Sequence, residues 1–249
     1  MPRYFMHLAY RGAPFHGWQV QPGEVTVQSV LENALSTILR QPTPVTGAGR
    51  TDAGVNAAMM VAHFDAPRRV DTRGVNSLVG RDIAVYAINE VHDGAHARFD
   101  ATSRTYFYKA VTVKSPFLHG LTWQTGKPLD YEAMNRAAEQ LLNTRDFTSF
   151  AKLHSDTRTN ICNVTRAEWV ADPLTGGMTF VITADRFLRN MVRAVVGTLV
   201  DVGRGKLSAE GFREVIESRD RCAAGTSMPP EALYLQEVTY PYWKPERHA

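Results

Sequence analysis

The chain has 249 residues, 44% of them hydrophobic, which suffices to bury the core of one large domain or two smaller ones. The opening residues include Arg3 and His7, and no apolar run suits a signal segment or a membrane span, so we expect a cytoplasmic protein without a membrane partner. Cys162 and Cys222 lie far apart and outside any C-x-x-C pair, which argues against a disulfide scaffold and a thiolate zinc site.

The basic residues are mostly arginine. The net charge is only +3, but arginine supplies 22 of the 28 Lys and Arg residues. Guanidinium groups bind phosphates with two parallel donors and stack on bases, so this bias favours a nucleic-acid partner. GC-rich coding produces the same bias, and composition alone is therefore weak evidence for RNA binding.

The first part of the chain combines one strong helix with several strands. Apolar residues at three- and four-residue spacing predict a helix over Val27–Leu39, with Thr26 as N-cap and Pro42 beyond its end. Extended segments are predicted at residues 4–10, 45–48, 57–65 and 83–91, with a short helix at 72–78. Helices and strands do not alternate strictly, so we expect an α+β fold with a mostly antiparallel sheet.

The second part of the chain also combines strands with helices. Strands are predicted at residues 104–113, 164–170, 178–184 and 233–240, and helices after Pro128, at 187–202 and at 208–218. In the helix after Pro128, the residues expected to face a core are Met134, Ala138, Leu141 and Leu142. We therefore expect two α+β halves, residues 1–103 and 104–249, without a flexible linker between them.

The most unusual segment is residues 47–57, GAGRTDAGVNA. Its three glycines let the backbone turn sharply and approach a ligand closely. Their spacing matches neither the dinucleotide motif G-x-G-x-x-G nor the phosphate loop G-x-x-x-x-G-K. What remains is a tight loop holding Asp52 two residues after Arg50. The plain alternative is a surface turn that Asp52 caps and Arg50 neutralises.

This segment resembles the active-site loop of the tRNA pseudouridine synthase A family. Six other stretches resemble motifs of that family and follow its order: residues 9–19, 26–32, 97–108, 146–150, 187–193 and 232–235. The resemblance covers nearly the whole chain, and the loop around Asp52 is its most specific part. Two departures are Asn56, where the family usually has His, and Val79-Gly80, where it usually has Leu-Pro.

The resemblance implies roles for four residues. Asp52 is the catalytic carboxylate, and Tyr106 is the aromatic residue that contacts the target base. Arg50 aids extrusion of that base, and Arg193 pairs with Asp52. Beside these, Arg104 is a further candidate substrate-binding residue. The departures at Asn56 and Val79-Gly80 affect loop detail or substrate preference rather than the reaction.

The resemblance also implies the fold, the substrate and the assembly. The fold consists of two related α+β halves whose sheets join, with a basic cleft between them. The substrate is tRNA, modified at uridines of the anticodon stem-loop at positions 38 to 40. The assembly is a homodimer, and no metal or organic cofactor takes part.

Additional arginines are candidates for contacts with RNA phosphates. If residues 187–202 form one helix, Arg186, Arg189 and Arg193 share one of its sides. Arg186 and Arg189 are then candidate phosphate ligands, and so are Arg68, Arg69 and Arg73. A solvated surface explains these residues equally well.

Two alternative functions stay open at this point. A non-catalytic RNA-binding module of similar architecture explains the arginine bias but gives the Asp52 loop no purpose. Another base-modifying enzyme, such as a methyltransferase, needs a cofactor loop, and the sequence shows none.

Overall fold

The computed structural model describes residues 1–152 and 158–245, which form two compact units. Unit 1 comprises Met1–Ser103 and the described residues from Tyr234 onward, and unit 2 comprises Arg104–Leu233. The architecture is α+β with mostly antiparallel strand pairing, which confirms the predicted fold class.

The strands are β1 (Arg3–Tyr10), β2 (Thr46–Gly47), β3 (Asn56–Asp65), β4 (Ile83–Val91), β5 (Ser103–Val111), β6 (Trp123–Gln124), β7 (Val164–Asp172), β8 (Gly177–Ala184) and β9 (Leu233–Thr239). The α-helices are α1 (Val27–Leu39), α2 (Thr72–Asn76), α3 (Tyr131–Ala138), α4 (Met191–Gly203) and α5 (Ala209–Ser218). Short 3-10 helices cover Glu139–Asn143, Thr148–Phe150 and Pro230–Ala232.

Unit 1 is built on a sheet with strand order β4-β1-β3-β9. Strand β1 pairs antiparallel with both β3 and β4, β2 adds to β3, and β9 pairs with β3 in parallel through Asn56 with Tyr234 and Ala57 with Leu235. The sequence analysis puts the last strand in the half 104–249; in the structure, Tyr234–Thr239 of β9 belong to unit 1. Parallel partners lie far apart in sequence, so a periodicity pattern cannot identify them.

Helix α1 forms as the sequence predicts. Thr26 is the N-cap, and a reciprocal capping box with Ser29 satisfies donors at the start of the helix. The helix buries one stripe, consisting of Val27, Leu31, Ala34 and Leu35. It ends at Arg40, which adopts a left-handed conformation with φ 56°, and Pro42 follows two residues later.

Unit 2 combines an antiparallel sheet with three helices. Its strand order is β5-β8-β7, and β6 pairs in parallel with the end of β5. Helix α4 is apolar and buried along most of its length, and it packs on α3 so closely that a Cβ at Gly203 would lie 2.4 Å from the Met134 sulfur. Across residues 1–152 and 158–245, none of the helices has the length and apolar character needed to cross a bilayer.

Two predictions about unit 2 are wrong in detail. Helix α4 begins at Met191 instead of residue 187, because Asn190 adopts φ 66° and cannot continue a right-handed helix. Leu142 is 42% exposed instead of facing the core. The α-helix ends at Ala138, and the tighter 3-10 turn that follows rotates Leu142 out of the buried stripe.

Candidate active site

Asp52 lies on the loop between β2 and β3 in unit 1. Its side chain is half-buried, and the preceding Arg50 is exposed. The loop closes tightly, because Val55 N donates to the Asp52 carbonyl at 3.1 Å and Gly54 adopts φ 78°. The loop therefore presents a carboxylate and a guanidinium two residues apart.

A second loop of unit 1, residues 11–19, packs directly on the Asp52 loop. Trp18 N donates to the Thr51 carbonyl at 3.1 Å. A Cβ at Gly17 would lie 2.6 Å from the Thr51 carbonyl oxygen, and one at Gly12 would lie 2.3 Å from the Val55 carbonyl oxygen. Since no side chain fits at either glycine, the two backbones approach as closely as they can.

Three buried polar side chains hold these loops together through two hydrogen bonds. Tyr10 Oη and Thr51 Oγ1 share a hydrogen bond of 2.8 Å. Asn56 is 2% exposed, and its Oδ1 accepts from Gly12 N at 2.8 Å. Asn56, one of the two departures from the usual family pattern, therefore links the two loops through this hydrogen bond. Its partner lies 44 positions away, so the sequence alone gives no signal for this contact.

A cavity of about 170 Å³ adjoins the Asp52 loop. It is lined by Trp18, Gln19, Gln28, Val45, Thr46, Gly47, Gly49, Arg50 and Arg98. We call it the Arg50–Arg98 cavity. Its lining contains two arginines and no carboxylate, so it suits an anionic ligand. Arg98 was not among the predicted site residues, although it belongs to a stretch that resembles the family.

Tyr106 lies on β5 of unit 2, opposite Ile182 of β8. It is 8% exposed, and its ring meets that of Phe187 edge-on, with centroids 5.0 Å apart and planes at 80°. Tyr108, two residues on and on the same face of the strand, is fully buried, and its hydroxyl donates to the Pro229 carbonyl at 3.2 Å. Burial raises the pKa of Tyr108, so this neighbour stays a neutral donor.

Arg193 lies in the first turn of α4. Its Nε donates to the Met228 carbonyl, and Met228 N donates to the Arg193 carbonyl at 3.1 Å. Beside them, Asn190 Nδ2 donates to Ser227 Oγ at 2.6 Å. The start of α4 is therefore fixed by the segment that precedes β9. The predicted ion pair between Arg193 and Asp52 joins residues of different units and stays a prediction.

The other predicted arginines of unit 2 lie near the end of β8. Arg104 Nη1 donates to the Asp185 carbonyl at 2.7 Å, so this side chain supports the turn after that strand. Arg186 and Arg189 precede α4, and Arg189 is exposed. The prediction that they share one helix face with Arg193 is wrong, because the left-handed Asn190 separates them from the helix.

The candidate phosphate ligands of unit 1 differ in their surroundings; they are Arg68, Arg69 and Arg73. Arg68 Nη2 donates to the Ile38 carbonyl at 2.9 Å, near the C-terminal end of α1, where helix carbonyls have no intrahelical partner. Arg73 forms an exposed ion pair with Asp71 at 3.0 Å. Arg69 is exposed. Phosphate binding by Arg68 and Arg69 stays a prediction.

Comparison with known proteins identifies the family. A model of the family described as tRNA pseudouridine synthase matches residues 137–241. The tRNA pseudouridine synthase A of Bacteroides thetaiotaomicron is 55% identical over 248 residues, covering 97% of this chain and 91% of its own. Those of Parabacteroides distasonis and Neisseria gonorrhoeae are 53% and 40% identical, and the alignments cover 97% and 96% of this chain and 97% and 92% of theirs. The chain therefore belongs to the tRNA pseudouridine synthase A family.

Proposed function

We propose that this protein is a tRNA pseudouridine synthase, an isomerase that converts uridine to pseudouridine in tRNA, with Asp52 as its catalytic residue. Family membership over nearly the whole chain supports the reaction. The observation that carries the assignment of Asp52 is the loop itself. Two glycines, the hydrogen bonds of three buried side chains and backbone hydrogen bonds hold the backbone of the loop that carries this half-buried residue.

The reaction exchanges one bond to the sugar for another. The bond between N1 of uracil and C1′ of ribose breaks, the base rotates, and a bond forms between C5 and C1′. The proton on C5 is lost and N1 gains a proton, so the product is an isomer and no electrons are transferred. Since the base detaches in between, the site must retain it and exclude water.

Asp52 acts as the nucleophile in this scheme. A carboxylate that adds to C1′ of the sugar, or to C6 of the ring, divides one difficult step into two easier ones. Both routes fit a half-buried acid on a rigid loop. Either route requires that the uridine leave its stack, which costs a few kcal/mol.

The neighbouring residues assist extrusion and retention of the base. Arg50 is exposed beside Asp52, and its guanidinium fills the space that the extruded base vacates. Tyr106 stacks on the base, a contact that contributes about 1 to 3 kcal/mol, and its hydroxyl assists removal of the C5 proton. Arg193 pairs with the Asp52 carboxylate, and Arg104 contacts the substrate.

We infer the substrate region and the assembly from what the family resemblance implies. The target uridines lie in the anticodon stem-loop, at positions 38 to 40, and the protein acts in the cytoplasm as a homodimer without a cofactor. Exposed arginines, of which Arg69 and Arg189 are examples, bind the tRNA backbone by phosphate contacts. Such contacts make tRNA binding strongly dependent on salt.

Replacing Asp52 by Ala tests the proposal. With unmodified tRNA carrying tritium at uridine C5, we expect the wild type to release the label and Asp52→Ala to release none above background. Binding of the same tRNA, measured by filter retention, should stay within about threefold of wild type, because backbone contacts dominate the affinity. Asp93→Ala removes an exposed carboxylate of unit 1 and is the matched control, with unchanged release.

Two outcomes contradict the proposal in different ways. Label release by Asp52→Ala at the wild-type rate shows that another group carries the reaction. A wild type that binds tRNA but releases no label is a non-catalytic RNA-binding module, the alternative function. Running the assay with purified protein, tRNA and a chelator alone also tests whether a methyl donor or a metal ion is needed.

A further inference from the structure

Phe99 is an exposed aromatic residue of unit 1 and ends a column of rings. Its side chain is 76% exposed, and its ring stacks on His96 with centroids 4.2 Å apart and planes at 30°. The His96 ring in turn meets His63 at 4.6 Å, nearly edge-on. His63 is buried, and its Nδ1 accepts from Ala97 N at 3.1 Å. The column therefore reaches from the sheet to an open aromatic face.

The loop that carries Phe99 is held by its own hydrogen bonds. His96 Nδ1 accepts from the backbone N–H groups of Arg98 and Phe99, at 3.1 and 3.2 Å. Asp100 Oδ2 accepts from His96 N at 2.7 Å and from the Tyr242 hydroxyl at 2.6 Å. The aromatic face is therefore pre-organised, and a planar ligand meets it at little cost in conformational entropy.

Arg98 connects this face to the Arg50–Arg98 cavity. Its guanidinium carbon lies 5.9 Å from the centroid of the Phe99 ring, and the same side chain lines the cavity together with Arg50. An exposed aromatic ring beside Arg98, which also lines a cavity with Arg50, complements a nucleotide, whose base is flat and whose phosphate is negative. We call Arg98 and Phe99 together the Arg98–Phe99 platform.

We propose that the Arg98–Phe99 platform binds one unpaired nucleotide of the RNA substrate, other than the uridine that is isomerised. The base stacks on Phe99, and the phosphate binds Arg98 at the rim of the cavity. The adjacent carboxylate, Asp100, already accepts hydrogen bonds from His96 and Tyr242, so the platform is a binding subsite and not a second reaction centre. That the ligand is RNA rests on the proposed function.

The first test measures RNA affinity independently of turnover. In the Asp52→Ala background, fluorescence anisotropy with a labelled tRNA transcript gives Kd for each variant. Phe99→Ala should raise Kd about tenfold, because one stacked base is lost. Phe99→Leu should raise Kd equally, because leucine keeps the apolar volume but lacks the ring on which a base stacks. Phe99→Trp should keep the affinity. Phe117→Ala removes an 88% exposed phenylalanine of unit 2 and should leave Kd unchanged.

The second test separates the phosphate contact from the base contact. A plot of log Kd against log salt has a slope that falls by about 0.7 for each single-strand phosphate contact that is lost. Arg98→Ala should lower the slope by that amount, and Arg98→Lys should restore it. Phe99→Ala should change Kd and leave the slope as it was.

Specific results overturn the proposal. Equal Kd values for Phe99→Ala and its parent show that no base stacks there. A change of Phe99→Ala from oligomer to monomer in light scattering assigns the face to a subunit contact instead. Failure of the proposed function is seen separately, because the wild type then releases no tritium while the dependence of binding on Phe99 persists.

Discussion

Gly17 sets how closely residues 11–19 approach the Asp52 loop. It adopts φ 85°, and a Cβ there would lie 2.6 Å from the Thr51 carbonyl oxygen. Gly23 adopts a similar φ of 78°, but a Cβ there would meet nothing within 4 Å. A side chain at Gly17 therefore causes both backbone strain and a steric clash, whereas a side chain at Gly23 causes backbone strain alone.

We expect Gly17→Ala to impair both stability and turnover. The left-handed conformation costs an alanine about 1 to 2 kcal/mol at either position. At Gly17 the clash adds to this cost and displaces the Asp52 loop, and a displacement of about 1 Å at a reacting group lowers turnover on the order of 100-fold. Urea unfolding and tritium release measure the two effects.

Gly23→Ala is the control for Gly17→Ala. It should lose about 1 kcal/mol and keep wild-type turnover, because its Cβ points into open space. If both variants lose turnover equally, the close approach at Gly17 has no part in holding Asp52.

The elements differ in how well the sequence predicts them. Helix α1 was predicted with its N-cap and its C-terminal end, because a capping residue and an apolar stripe are local signals. The sequence does not predict the start of α4. Residues 187–190 continue the apolar pattern of this helix, and the left-handed conformation of Asn190 is what keeps them outside it. In the candidate site, the glycines of the sequence predict the tight loop around Asp52. The hydrogen bond between Gly12 N and Asn56 is not predictable in this way, because it depends on the folding of β1 and β3.

Strand β3 contains a histidine that makes the stability of unit 1 depend on pH. Burial is the main cause that lowers the pKa of His63 to about 4; the charges of His96 and Arg3 act in the same direction, and the carboxylates of Asp65 and Asp100 oppose them. The unfolded chain takes up a proton near pH 6.5, whereas the folded chain does not until about pH 4. Stability is therefore full above pH 6.5 and is lost as the pH falls towards 4.

The urea midpoint measured between pH 7.5 and 5 tests this linkage. The wild-type midpoint should fall over this range. His63→Gln, whose amide oxygen can accept from Ala97 N but does not titrate, should show a smaller fall. Parallel curves for the two proteins would show that other groups cause the acid sensitivity.

At the scale of the whole molecule, the two cysteines report on one unit only. Cys162 and Cys222 both lie in Arg104–Leu233, and unit 1 contains neither. Cys222 is exposed, whereas burial raises the pKa of Cys162 to about 12, so its reactive thiolate is scarce at neutral pH. Reaction of the buried Cys162 thiol with a reagent therefore reports unfolding of unit 2 and not unfolding of unit 1.

With a chromogenic disulfide reagent at pH 8, we expect one thiol per chain to react rapidly in the native protein. The second should react only after unfolding in urea. Cys222→Ser should abolish the rapid phase, and Cys162→Ser should leave it intact. Two rapid thiols in the native wild type would contradict the buried position of Cys162.

The pairing of β9 with β3 has a consequence for how the protein is made. Tyr240, just after β9, donates its hydroxyl to the Ala97 carbonyl, and Trp243 packs edge-on against Phe5 of β1, so β9 and the residues after it complete unit 1. On the ribosome, the Asp52 loop is translated well before β9, so the sheet supporting it stays incomplete until β9 has been made. A nascent chain that is released before β9 is made therefore lacks a strand of the sheet that supports Asp52, and we expect it to be a poor catalyst.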